Sequence, residues 1–261
     1  MEKRNLRVIV TGASGMVGEG VVHECLQHPE VCSVVVVGRK ACGISHPKLQ
    51  EWLIPDFSTP ALEKIRAGLA GANACFFCLG VTSIGKKEEE YSQLTYHLTM
   101  DFARVVAQEN PGSIFCYVSG SGTDSTEKGR TMWARVKGKT ENDLRKLNFR
   151  NAFAFRPGYI HPTAGLLHTQ PMYRYVAWAY PFWRKFFPGF VSTLREVGLA
   201  MIHVARIGYD KHILEVADIN RCAAGEEEFL RMPPRHVVPE SPEQNQGILP
   251  DRDLKRNLGC G

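Results

Sequence analysis

At 261 residues, with 44% hydrophobic and 23% charged residues, the chain has the composition of an ordinary soluble globular protein and the length for one substantial core. Its 32 basic and 27 acidic residues leave a formal charge of +5. They are mixed along the sequence without a long basic run, which argues against nucleic-acid binding and suits an anionic cofactor. The eight cysteines (Cys25, Cys32, Cys42, Cys75, Cys78, Cys116, Cys222 and Cys260) are scattered, several within apolar runs, as expected for reduced thiols rather than a disulfide framework. Cys75-Phe-Phe-Cys78 is too apolar for an exposed redox turn and has no second ligand pair nearby, so no metal is expected.

The charged stretch Met1 to Arg7 lacks the apolar segment of a secretory signal, and cytosolic residence is the expectation. Apolar β-branched runs then alternate with helix-like segments, as in parallel βαβ units. Strands are predicted at Leu6 to Thr11, Val34 to Gly38, Trp52 to Ile54, Ala74 to Leu79, Ile114 to Ser119 and Ala152 to Arg156. Helices are predicted at Val17 to Gln27, Ala61 to Ala70, Glu88 to Glu109 and Thr131 to Lys146. The fold class is therefore α/β, a doubly wound parallel sheet with a small irregular C-terminal cap. Within the cap one helix is expected from Leu194 to Ile207. The domain is drawn over 1–219, and residues 220–261, polar and proline-containing, are expected to form a loosely ordered tail.

The first strand runs into Gly12-Ala13-Ser14-Gly15-Met16-Val17-Gly18, a G-x-x-G-x-x-G pattern that opens directly into a helix. Glycines at this spacing give a sharp turn, let the backbone approach a pyrophosphate and let helix pack on strand, while the helix N-terminus meets the phosphates. Gly12, Ser14, Gly15, Met16, Val17 and Gly18 are thus candidate dinucleotide contacts. Where an acidic residue would hold the ribose 2′-hydroxyl of NAD, the second strand ends in Gly38-Arg39-Lys40. Arg39, with Lys40 beside it, suits a 2′-phosphate, so NADP(H) is favoured and NAD(H) is the alternative. Asp56-Phe57 and Gly80, after the third and fourth strands, are further candidate cofactor contacts; for Asp56 a helix or turn cap competes, and for Gly80 a strand terminator.

These motifs, with Cys78-Leu79-Gly80, Tyr117-Val118-Ser119-Gly120-Ser121, Val136-Lys137-Gly138 and Phe155-Arg156-Pro157-Gly158, make the chain resemble the atypical and extended short-chain dehydrogenase/reductase superfamily over residues 6 to 219. The resemblance extends in particular to small NAD(P)-binding members related to the oxidoreductase Tat-interacting protein. It implies a Rossmann-like fold, cofactor contacts at Lys137, Pro157 and Gly158, and a Ser, Tyr, Lys catalytic set with tyrosine and lysine spaced as Y-x-x-x-K. Lys137 matches the lysine, but the position four before it is Trp133, whose indole N–H only donates and cannot act as that acid or base. Ser119 and Ser121 are the candidates for the serine, with loop capping as the competing reading. Tyr159, followed by His161, is a candidate replacement proton donor, against a packing role for its ring.

Between Met172 and Phe190 aromatic residues are concentrated, interleaved with Arg174, Arg184 and Lys185. A cap over the sheet is favoured there, ahead of a substrate-pocket wall and of a patch for a protein partner or peripheral membrane contact. The sequence thus describes an NADP(H)-binding oxidoreductase or epimerase-like enzyme acting on a small carbonyl or hydroxyl substrate. The alternative is an NADP(H)-binding sensor without turnover, which Trp133 favours.

Overall fold

The computed structural model describes residues 5–163, 165–166 and 188–232. Seven strands, β1 (Leu6–Thr11), β2 (Val31–Gly38), β3 (Leu49–Leu53), β4 (Ala74–Phe77), β5 (Ile114–Val118), β6 (Asn151–Arg156) and β9 (Ile213–Glu215), form one parallel sheet in the order β3-β2-β1-β4-β5-β6-β9. Two short strands, β7 (Tyr159–His161) and β8 (Val191–Thr193), pair parallel in a separate two-stranded sheet. The helices are α1 (Met16–Gln27), α2 (Thr59–Leu69), α3 (Glu88–Ser92), α4 (Leu98–Glu109), α5 (Met132–Leu144), α6 (Leu194–Arg206) and α7 (Val216–Arg231). A π-helical turn, Gln93–His97, joins α3 to α4.

Both faces of the sheet are covered, which is why its strands read as continuous apolar runs rather than as alternating ones. Val8, Val10, Ala74, Phe76 and Cys116 point into a core shared with α1, α6 and α7, while Ile9, Cys75, Phe77, Phe115 and Tyr117 point into a second core under α2, α4 and α5. Strand order reverses between β1 and β4, and in doubly wound folds the crevice at the carboxyl ends of two such strands is the place where ligands are taken.

The predicted strands and helices of the first 156 residues are all present, with shifted ends: β2 starts three residues earlier than expected, and β3 lies at Leu49–Leu53 rather than Trp52 to Ile54. Strands β7, β8 and β9 span three residues each, too short for any periodicity to announce them. Of the aromatic segment, only Pro188, Gly189 and Phe190, a single 3₁₀ turn, fall within the described residues.

One boundary needs correction. Residues 220–231 were expected in a loosely ordered tail, yet they form most of α7. Ile219, Cys222, Ala223 and Glu226 share its buried face, and the polar residue among them is an anchor. The Glu226 carboxylate, fully buried, lies 2.9 Å from His28 Nε2, 3.1 Å from His203 Nδ1, and accepts from Arg206 Nη1 at 2.7 Å. These partners outweigh the cost of burial and hold its pKa down at about 2. Phe229 completes the cluster by stacking on His28 and lying under the Arg206 guanidinium. The remainder of the expected tail, from Pro233, lies outside the described residues.

Two measurements test this account. A Cβ on Gly18 would stand 2.2 Å from the Gly12 carbonyl oxygen, whereas one on Gly80 would meet nothing within 4 Å. In urea titrations Gly18→Ala is therefore expected to lose ~2 kcal/mol through overpacking, and Gly80→Ala under ~0.5 kcal/mol. For Glu226 the folded pKa lies below the ordinary carboxylate value, so its contribution is complete above about pH 4.5 and is lost as pH falls through about 2. Glu226→Gln should cost ~3 kcal/mol at neutral pH and flatten the acid limb of the stability profile; an unchanged acid limb would refute the anchor.

Candidate functional site

The site is built where β1 and β4 end. Gly12 has φ of +75°, a conformation that needs glycine. A Cβ there would also press on the Cys78 carbonyl oxygen at 2.7 Å, so the turn leaving β1 lies directly against the backbone leaving β4. Gly15 donates its N–H to the Gly12 carbonyl at 2.9 Å and stands at the N-cap of α1, with no side chain capping that helix. Ser14 and Gly15 are exposed, Met16 and Val17 are half-buried at the helix start, and Gly18 is buried against Gly12. The first turn of α1 thus presents backbone N–H groups toward the crevice, as pyrophosphate binding requires.

Around this turn the structure brings most of the other candidates to the same edge of the sheet. Arg39 and Lys40 follow β2, exposed and free of ion pairs among the described residues. Gly80 follows β4 with open space over its Cα. Asp56 follows β3, and its carboxylate accepts from the Ser58 N–H at 2.9 Å; hydrogen bonding to the Ser58 side chain first, and then to that N–H, holds its pKa below the ordinary value. Asp56 is therefore a turn-capping residue at the crevice rim. Its neighbour Phe57 is otherwise placed: the ring is buried edge-on to Phe102, with centroids 5.7 Å apart, so its side chain belongs to the core.

The loop after β5 lies against α5. Ser119 is buried, and both its N–H and its Oγ donate to the Phe155 carbonyl, at 2.8 and 3.1 Å. Ser121 is exposed and donates its N–H to the Pro157 carbonyl at 2.9 Å. Lys137, half-buried on α5, donates from Nζ to the Ser119 carbonyl. Desolvation pushes its pKa down to about 8, against an opposing pull from the charge of Glu141. One turn before Lys137 on α5 stands Trp133, whose ring approaches within 3.7 Å of the Cβ position of Gly122. Lysine and loop serines are thus together, with an indole where a phenol would complete a proton-transfer set.

Pro157 and Gly158 have structural duties. Pro157 is buried, and a Cβ on Gly158 would stand 2.4 Å from the Phe190 carbonyl oxygen, so this glycine admits the segment entering β8. Tyr159 and His161 are neighbours on one face of β7, their ring centroids 6.5 Å apart, and burial lowers the His161 pKa. What sequence reasoning missed is Arg156. Its guanidinium forms a two-pronged ion pair with Glu141, at 3.0 Å from Nε and 2.5 Å from Nη2, and it also reaches Ser125 Oγ at 2.6 Å and Glu215 at 3.2 Å. In the sequence Arg156 stands within the Phe155-Arg156-Pro157-Gly158 motif, which gives no sign of an ion pair with Glu141. Among the described residues no group of three or more His, Cys, Asp or Glu could hold a metal ion, and no helix is long and apolar enough to cross a membrane.

The residues fit a dinucleotide on structural grounds. Gly12 and Gly18 have their Cβ positions filled by neighbouring backbone, which draws strand and helix together, while at Gly80 and Gly120 nothing lies within 4 Å of a Cβ position.

No family model matches the chain. Among curated proteins it is 27% identical over 162 residues to "Protein fmp52-1, mitochondrial" of Aspergillus terreus, a match covering 60% of this chain and 67% of that one. It is 28% identical over 155 residues to the protein of the same name in Aspergillus oryzae, covering 57% and 63%. The matches thus span about two thirds of these relatives' length. The expectation of cytosolic residence is overturned here, because these relatives are named mitochondrial.

Among solved structures, the Bordetella bronchiseptica enzyme WbmF in complex with NAD+ superposes with a TM-score of 0.58 at 15% identity, covering 87% of this chain and 79% of that one. A short chain dehydrogenase from Burkholderia cenocepacia in complex with NADP superposes at 0.61 and 14%, covering 88% and 97%. The Helicobacter pylori ADP-L-glycero-D-manno-heptose-6-epimerase does so at 0.60 and 12%, covering 88% and 84%. The chain therefore has the Rossmann-like fold of short-chain dehydrogenases and nucleotide-sugar epimerases, and is similar in sequence to the fungal Fmp52 proteins.

Proposed function

We propose that the chain binds NADP(H) in the crevice between β1 and β4 and is a mitochondrial oxidoreductase or epimerase-like enzyme acting on a small carbonyl or hydroxyl substrate. The observation that carries this reading is the Gly12 to Gly18 turn, with its uncapped helix N-terminus aimed into the crevice at the topological switch point. The likeness to structures complexed with NAD+ and NADP supports it, and the location follows the names of the relatives. The narrower kinship with proteins related to the oxidoreductase Tat-interacting protein rests on the motifs alone.

In this reading the nicotinamide supplies hydride transfer when bound. Arg39 pairs with the 2′-phosphate, the first turn of α1 binds the pyrophosphate through its N–H groups, and Lys137 holds the nicotinamide ribose. Ser119 has its own hydroxyl hydrogen committed to Phe155, which leaves the exposed Ser121 as the serine able to donate to a substrate oxygen. Trp133 favours a second reading, a cofactor-binding sensor without turnover, because the indole cannot exchange a proton with a substrate.

Fluorescence titration should show NADPH binding more tightly than NADH. Arg39→Ala should weaken NADPH about tenfold or more, as loss of a charge-assisted contact does, and leave NADH nearly unaffected; equal affinities in the unaltered protein would refute the NADP preference.

Turnover separates the two readings. The enzyme reading expects NADPH consumption with a panel of small aldehydes and ketones, abolished by Lys137→Ala and raised about a hundredfold by Trp133→Tyr, the smaller end of what a positioned acid contributes. Binding without consumption, even in Trp133→Tyr, would establish the sensor.

A further inference from the structure

Arg156 ends β6, and its backbone neighbours hold the loop that leaves β5: the Phe155 carbonyl takes both donors of Ser119, and the Pro157 carbonyl takes the N–H of Ser121. Its side chain holds the same loop further on. The guanidinium lies buried between Glu141 on α5 and Ser125 in the loop, 2.5 Å and 2.6 Å away from one nitrogen, Nη2. Asn142, beside Glu141 on α5, donates to the Ser125 carbonyl at 3.0 Å and to Glu127 at 2.7 Å. The Asp124 N–H donates to the Ala134 carbonyl at 3.1 Å, and the Gly138 Cβ position is filled by the Asp124 carbonyl. Residues 119 to 129 are thereby laid along α5 over the turn that carries Lys137, which donates to the Ser119 carbonyl.

A buried ion pair is a poor source of net stability, since an apolar pair of the same volume commonly does as well. What an arginine fork adds is direction, through two parallel bonds to one carboxylate and a further bond to a third group. Here those three groups belong to a strand, a helix and a loop that meet at one edge of the crevice.

We propose that Arg156 and Glu141 are positioning residues for the nicotinamide half of the cofactor: locked to each other and to Ser125, they fix the β5–α5 loop against α5 so that Lys137 stands ready for the nicotinamide ribose. The proposal rests on the NADP(H) reading above. It separates the two halves of the ligand, because Arg39 and the glycine turn lie across the crevice on β1, β2 and α1 and have no share in this network.

The test compares the affinity of the full-length protein for NADPH and for adenosine 2′,5′-bisphosphate, a fragment that carries the 2′-phosphate but lacks the nicotinamide ribose. Arg156→Met and Glu141→Gln are each expected to weaken NADPH about tenfold while changing the bisphosphate less than about twofold. Ser125→Ala removes the hydroxyl that Arg156 reaches while keeping the carbonyl that accepts from Asn142, and covers the case in which the other two variants fail to fold. It should show the same selectivity at about threefold. Equal losses for both ligands would mean that the network merely supports the fold, and unchanged affinities that it does nothing for binding; either result overturns the proposal. Failure of the unaltered protein to bind either ligand would instead overturn the dinucleotide reading, and the positioning role with it.

Discussion

Everything at the carboxyl edge of this sheet depends on backbone meeting backbone. The start of α1 lies so close to the end of β1 that the Gly18 Cα rests on the Gly12 carbonyl, and Gly12 in turn lies against the end of β4. A side chain at either position would have to displace main chain, which has nowhere to go in a sheet covered on both faces. The cap position of that helix is Gly15, which has no side chain to offer, so the helix N-terminus is left uncapped; in doubly wound folds such an end suits an anion.

Two buried charge clusters organise the rest. Glu226 joins α7 to α6 and to the end of α1, and Arg156 with Glu141 joins β6 to α5 and to the loop between β5 and α5. Each is assembled from elements distant in sequence, and each leaves a charge uncompensated if one element shifts. Apolar contacts tolerate sliding; these do not, and so the clusters fix which helix turn faces which strand.

The central sheet was legible because doubly covered parallel strands declare themselves as apolar runs, Val34 to Val37 and Ala74 to Phe77 among them, and because the glycine spacing after β1 has few other uses. What escaped notice did so for specific reasons. Helix α7 was hidden by its own polarity, since the residue that anchors it, Glu226, is of the type that marks exposed chain. Phe57 was assigned to the crevice from its position after β3, although its ring turns back to meet Phe102 in the core. The Pro157-Gly158 pair reads as a cofactor motif, whereas Gly158 answers to the Phe190 carbonyl, a contact no local pattern encodes. Arg156 was legible only as one member of the Phe155-Arg156-Pro157-Gly158 motif, because its partners Ser125 and Glu141 lie 31 and 15 residues away in sequence.

The small β7–β8 sheet has a bearing on how such a chain diversifies. Tyr159 pairs with Val191 and His161 with Thr193, so residues far apart in sequence stand one strand-width apart. An excursion whose ends are pinned together is thermodynamically insulated from its host: doubling its length costs only ~0.6 kcal/mol in closure entropy. A change in the number of residues between these two strands is therefore expected to cost the described fold little, while the glycine turn and the loop held by Arg156 keep their places.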